Sequence, residues 1–235
     1  YFDLLYRATK KYASWDPEIL IKAGHWGRIT QVPRSFAFWR RREGTFVREG
    51  NIYTDGKAKE YGIEDPVEFG HDSGGQTWVT SENAREVDVS ASVGGTKPTV
   101  GHCKATVVFK FSSGRGAILA MENTTTTIID PPGALKQLLD DPSMRNTVVV
   151  SEVHACSSYA RLLTTKADNT VVLDLTVEPA VSGVVSSSAT AKWVRHGTSG
   201  YFKSQVNKKG DRTFYPLFRL VSRSEQSMST GIGTP

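Results

Sequence analysis

Apolar and polar residues alternate almost without error in two stretches near the middle of the chain. Val87, Val89, Ala91 and Val93 share one parity against Glu86, Asp88, Ser90 and Ser92, while Val171, Leu173, Leu175 and Val177 repeat the arrangement against Thr170, Asp174 and Thr176. A period of two turns one set of side chains toward an apolar environment and the other toward a polar one. Two structures satisfy that rule: a half-buried antiparallel sheet, or strands lining a membrane pore with lipid on one side and water on the other. Strand signals recur at residues 44–53, 76–80, 85–93, 104–111, 117–121, 124–129, 147–154, 160–165, 170–177, 189–194 and 213–221, separated by Gly, Pro, Asn and Ser turns. Helical periodicity is confined to residues 1–12 and 132–139, the second bracketed by Asp130-Pro131 and Asp140-Asp141-Pro142. The pattern predicts an α+β fold, a twisted and mainly antiparallel β-sheet with a few peripheral helices. It forms one domain over residues 1–223, with a polar disordered tail at 224–235.

Composition narrows the classes. With 38% apolar and 23% charged residues, the chain has enough apolar surface to fold by itself. The longest unbroken apolar run, residues 117–121, falls far short of the roughly 18 to 20 needed by a transmembrane helix, so any membrane crossing must use strands. Cys103 and Cys156 are far apart and lack CxxC or Cys/His spacing, which suits reduced thiols better than a disulfide framework or a metal site. His25, His71, His102, His154 and His196 form no HExxH or HxH pair, and GxSxG, P-loop and GxGxxG motifs are missing. His71-Asp72-Ser73 are contiguous, whereas a catalytic triad converges from separate segments. The expectation is a protein that is not an enzyme, with no catalytic residues, no cofactor and no metal.

The formal charge of +5 is moderate, and its placement is what informs. Phe2, Leu5, Thr9 and Tyr12 form one helical stripe, with Arg7, Lys10 and Lys11 beside or opposite it. Residues 36–42 read Phe-Ala-Phe-Trp-Arg-Arg-Arg, setting Phe38 and Trp39 against Arg40, Arg41 and Arg42, and Lys203, Lys208, Lys209 and Arg212 form a third cluster. Aromatic rings favour the membrane interface, and each nearby Lys or Arg gains about 1 kcal/mol from an anionic leaflet, so these residues are candidate lipid contacts. Nucleic acid attracts the same charges. A solvated helix face and a sheet edge blunted by charge are the purely structural alternatives.

The order of these pieces resembles the pore-forming domain of the gasdermins, over about residues 1–223. The resemblance rests on Ser35-Phe36-Ala37-Phe38-Trp39-Arg40, similar to the aromatic-basic tip after the family's first strand. It rests also on Asp130-Pro131 leading to Leu138-Leu139, and on Val148-Val149-Val150-Ser151-Glu152-Val153. By size and pattern the chain is most similar to the short fungal gasdermin-like regulators of cell death. The resemblance implies a cytoplasmic monomer that binds acidic phospholipid (phosphatidylserine, phosphoinositides or cardiolipin), oligomerises and inserts two β-hairpins into the plasma membrane as a barrel. It implies activation by an incompatible allelic variant in mixed oligomers, with no nucleic acid partner; a non-lytic module binding acidic lipid or nucleic acid is the alternative. The first hairpin would fall within residues 85–129 and the second within 160–203. Val87, Val89, Ala91, Val93, Val107, Phe109, Phe111, Val171, Leu173, Leu175, Val177 and Trp193 would be the inserting residues. Two departures accompany the resemblance: no C-terminal inhibitory domain is expected, and neither Cys103 nor Cys156 lies at the second hairpin's tip, where the family carries a reactive thiol.

Overall fold

The computed structural model describes residues 1–31, 44–70, 75–87, 103–112, 114–164, 170–178, 190–196, 200–223 and 232–233. Within them lie helices α1 (Phe2–Thr9), α2 (Lys57–Glu60) and α3 (Leu135–Asp140). The first strands are β1 (Tyr12–Ala13), β2 (His25–Gln31), β3 (Gly44–Asn51), β4 (Val67–Phe69), β5 (Gln76–Thr80), β6 (Ala84–Val87), β7 (Cys103–Phe111) and β8 (Gly116–Glu122). After them come β9 (Thr125–Ile128), β10 (Val148–Cys156), β11 (Ser158–Thr164), β12 (Thr170–Glu178), β13 (Thr190–His196), β14 (Tyr201–Val206), β15 (Phe214–Arg223) and β16 (Ile232–Gly233). The fold is mostly antiparallel β-sheet with few helices, as the alternation predicts. Strand β16 pairs with the end of β15, so the segment expected to be a disordered tail contributes a short piece of ladder.

The strands form three sheets among the described residues. The largest runs β1-β15-β10-β2-β3, with β16, β9 and β4 attached at its sides. Its centre is β10, whose residues from Val148 to Val153 are all buried, with helices over one face and Ile21 of the segment before β2 on the other. Ile52, Leu135, Leu138, Leu139 and Met144 pack with Val149 and Val221 on one side, while Ile21 and Phe218 join Val148 and Val150 on the other. Helix α3 follows a single 3-10 turn at Pro132–Ala134, where continuous helix was expected.

The second sheet runs β14-β11-β8-β5 and the third β13-β12-β7-β6. They lie face to face, with Phe109, Phe111, Val171 and Leu173 of the third sheet packed against Ile118 and Leu162 of the second. Trp78 sits 5.4 Å from Phe109 and 5.6 Å, edge to face, from Trp193, whose indole N–H donates to Ser158 Oγ at 3.1 Å. The outer face of the second sheet is covered by α1, where Leu5 is fully buried among Val79, Ala117, Leu119, Met121 and Tyr159.

The first helix is shorter than the sequence stripe. Thr9 Oγ1 donates to the Leu5 carbonyl at 2.8 Å and accepts from the Lys11 amide at 3.1 Å, while Lys10 takes a left-handed φ of 57°. These local bonds terminate the helix. Tyr12, expected on the helical stripe, therefore belongs to β1 and stacks on Phe218 instead.

Candidate functional site

The two face-to-face sheets share one crease. Strand β5 leads to β6, β7 to β8, β11 to β12 and β13 to β14, and the strand order is the same in both sheets, so together they are a four-stranded ribbon folded in half. The two central strands hold the same register on either side of the crease. Thr170 faces Lys110 and Thr164 faces Gly116, so six steps of chain on one strand are matched by six on the other. The outer strands take shorter paths: nine steps from Leu163 to Val172 face five from His196 to Tyr201, and seven from Phe111 to Ile118 face four from Thr80 to Ala84.

Two glycines permit the bend. A Cβ at Gly116 would lie 2.0 Å from the Phe111 ring, and one at Gly200, where φ is +104°, would lie 2.4 Å from the Leu163 carbonyl oxygen. Gly116→Ala is expected to cost about 2 kcal/mol, since Phe111 is fully buried and must leave its rotamer to make room. Urea unfolding measures that loss, and an unchanged midpoint would show that the crease tolerates a methyl group.

The expected hairpin residues fall mainly inside this folded ribbon. Phe109, Phe111, Val171, Leu173, Leu175 and Trp193 are buried between the sheets, and Val107 is half-buried against them. Val87 departs from this set. It pairs with Val108, not with Phe109, so it lies on the face opposite to the one carrying Phe109 and Leu173. The wet face expected of the second alternating stretch is also dry at one point: Asp174 is 2% exposed. Val89, Ala91 and Val93 lie outside the described residues, and so does the side chain of Val177.

The basic candidates serve different junctions. Arg7 and Lys10 are exposed at the end of α1, and Lys208 and Lys209 are exposed in the turn after β14. Lys203 pairs with Glu18 at 3.1 Å, and Arg212 donates to the Asn123 carbonyl oxygen at 2.9 Å and to its Oδ1 at 2.6 Å. Phe2 is half-buried and Leu5 wholly buried against the sheet. Phe38, Trp39, Arg40, Arg41 and Arg42 lie outside the described residues.

Lys11 is drawn into a polar cluster on β10. Its Nζ donates to Glu152 Oε1 at 2.5 Å and lies 2.9 Å from His154 Nε2, which is 2.8 Å from the same carboxylate oxygen. Arg219 Nε reaches Glu152 Oε2 at 3.3 Å, and Thr126 Oγ1 lies 3.1 Å from His154 Nδ1. Burial alone would raise the Glu152 carboxyl, but hydrogen bonds with His154 and Lys11, and their charges, outweigh it and hold the group at about 2. The cluster ties the chain after α1, β9 and β15 to the central strand. No known protein family and no curated protein was found to match this chain.

Among the described residues no group of three or more His, Cys, Asp and Glu side chains is placed to hold a metal ion, and no helix is long and apolar enough to cross a membrane. Cys156 is a free, buried thiol whose pKa burial pushes up. Sequence reasoning placed Glu152 in the strand motif at 148–153 without a site role, and passed over Arg161, a lone cation in Tyr-Ala-Arg-Leu-Leu. A single charge inside an apolar run was the available signal for both.

Proposed function

We propose that this protein is a gasdermin-like pore former whose folded ribbon is the resting form of two membrane-inserting hairpins. The observation that carries the reading is the equal number of residues that the two central strands spend between their last pair on one side of the crease and their first on the other. Straightening β7 with β8, and β11 with β12, leaves every central pair with the partner it already has. The outer strands then slip by the three or four residues by which their paths are shorter.

Parity supports the same reading. In the third sheet the odd-numbered residues Val107, Phe109, Phe111, Val171, Leu173 and Leu175 face the sandwich interior; in the second the even-numbered Ile118, Ala120, Ala160 and Leu162 do. The facing side therefore reverses at the crease. A straightened pair would align Val107, Phe109 and Phe111 with Ala117, Leu119 and Met121, and would align Tyr159 and Leu163 with Val171, Leu173 and Leu175. The opposite parity carries Lys104, Lys110, Glu122, Lys166, Asp168, Asp174 and Glu178, leaving only Arg115 and Arg161 as charges on the apolar side. One side greasy and one side wet is the requirement for a barrel strand, and a closed barrel leaves no backbone group unpaired in lipid. Each crossing needs only about 9 to 11 residues.

In the resting form this apolar side is hidden twice, under the opposed sheet and under α1. Acidic lipid is the trigger that the exposed Arg7, Lys10, Lys208 and Lys209 favour, together with the aromatic-basic segment around Trp39. Vesicles loaded with a self-quenching dye are expected to empty when they contain phosphatidylserine, phosphoinositide or cardiolipin, alone or after an allelic variant is added, and to stay sealed when neutral. Raised salt should suppress the release, because exposed charges are screened beyond about 8 Å at physiological ionic strength. Binding without dye release under every condition would instead make the chain a non-lytic lipid-binding module.

A further inference from the structure

Arg161 is the least compensated charge in the described structure. It lies on β11, facing α1, and is 2% exposed. Its Nε and Nη1 are buried without a hydrogen-bond partner, and it forms no ion pair among the described residues. Of the two acids on the covering loop, Asp16 is exposed and forms no ion pair with Arg161, and Glu18 is committed elsewhere: its Oε1 accepts from the Tyr159 hydroxyl at 2.8 Å and from Lys203 Nζ at 3.1 Å. Lys203 is also the direct cross-strand neighbour of Arg161. Two cations opposite one another in a ladder repel, and one carboxylate answers only one of them.

What covers Arg161 is aromatic. Its guanidinium carbon lies 4.1 Å from the centroid of the Trp15 ring and 5.7 Å from that of Tyr201, and the two rings stack on each other at 5.5 Å. Both rings reach solvent, at 37% and 49% exposure. The backbone on either side of Trp15 is tied to β15, by Ser14 N–H to the Pro216 carbonyl and Tyr215 N–H to the Pro17 carbonyl, so admitting a ligand requires only that the exposed ring turn. Cation–π contact offsets part of the cost of burying a guanidinium, but it supplies no acceptor for the N–H groups. A buried charge without a counter-ion is costly, and a charged ligand that supplies the missing acceptors offsets that cost.

We propose that Arg161 and Lys203 form a binding site for a phosphate group, roofed by Trp15 and Tyr201. The guanidinium offers planar, always-charged donors suited to phosphate oxygens, and the ammonium directly across the ladder offers a second positive centre. Ile19 and Leu20, 62% and 42% exposed on the same loop as Trp15, add apolar surface for whatever carries the phosphate. The site stands on burial and charge within the folded chain and does not require that the protein perforate a membrane.

Thermal unfolding in a phosphate-free chloride buffer, followed by titration with inorganic phosphate or soluble inositol bisphosphate, tests it. At a hundredfold excess over Kd the native chain should gain on the order of 5 °C in Tm. Arg161→Met should lose that gain while unfolding no earlier than the native chain without phosphate, since it removes an unanswered buried charge. Arg161→Lys, which keeps the charge and loses the planar donors, should keep a reduced gain. A parallel arm measures cosedimentation with phosphatidylcholine vesicles with and without phosphatidylinositol phosphate. A gain with soluble phosphate assigns a free phosphorylated ligand, and an Arg161-dependent response to vesicles alone assigns a lipid headgroup. Three results would overturn the proposal: equal responses from the native chain and Arg161→Met, no response from the native chain to any of these probes, or an Arg161→Met chain that is markedly less stable or does not fold.

Discussion

Glu152→Ala is expected to lower the unfolding free energy by about 3 kcal/mol, because it removes the carboxylate that pairs with both Lys11 and Arg219. The carboxylate is 6% exposed, so water cannot replace what the side chain provides. The effect should carry a pH signature. The Glu152 pKa is held at about 2, below its ordinary value of 4.5, so the folded state binds the proton less readily than the unfolded one. Its contribution is then complete above about pH 4.5 and lost as pH falls toward 2. That contribution is about 2 kcal/mol once the solvent access on the Arg219 side is taken into account. Urea midpoints measured between pH 2 and pH 6 should therefore slope for the native chain and flatten for Glu152→Gln. Parallel slopes for the two proteins would remove Glu152 from the account of acid stability.

Leu5→Ala is the second large effect, at about 3 kcal/mol, because Leu5 is the fully buried side chain by which α1 is held on the second sheet. The loss should be local in character. α1 is only eight residues long and cannot persist without packing, so it should detach before the sheets separate. Hydrogen exchange should accelerate in β8 and β11 around Leu119 and Tyr159 while β12 around Leu173 stays protected by the opposed sheet. Uniform acceleration across all three strands would mean that α1 and the sandwich open as one unit. That outcome would also remove the separate cover assigned to α1 over half of the apolar side.

Much of the strand pattern was legible before any tertiary contact was known. The alternation around Leu173, the apolar run at Ile118 and the Val-rich stretch at Val149 each mark a strand, because a strand's period of two is set by the backbone and does not depend on partners. Strands β2 and β14 were missed for the converse reason. β14 is an edge strand whose side chains are half-buried or exposed, and Lys203 in its middle is held by Glu18, so apolar parity never develops. In β2, Gly27 sits where Val47 presses on the backbone, a requirement for close approach that periodicity does not register.

The candidate site was legible in chemistry and not in placement. Trp193, Phe109 and Leu175 were recognisable as residues that can face lipid, yet nothing local says that they meet Trp78 and Ile118 across a crease. Val87 looked equivalent to them by parity, and only the β6–β7 register moves it to the other face. Lys11 looked like a lipid contact on a helix; the early end of α1 turns it onto Glu152.

The amino-acid sequence alone determined where many of the strands form and which of their residues share a side. The tertiary structure decided that the four-stranded ribbon doubles back on itself, that α1 shields one half of its apolar side and the opposed sheet the other, and that Arg161 is buried without an ion pair among the described residues. The division has a physical cause. Parity follows from the geometry of consecutive peptide units, whereas the direction of a face depends on how many residues each strand spends at the crease and on which distant segments arrive to cover it.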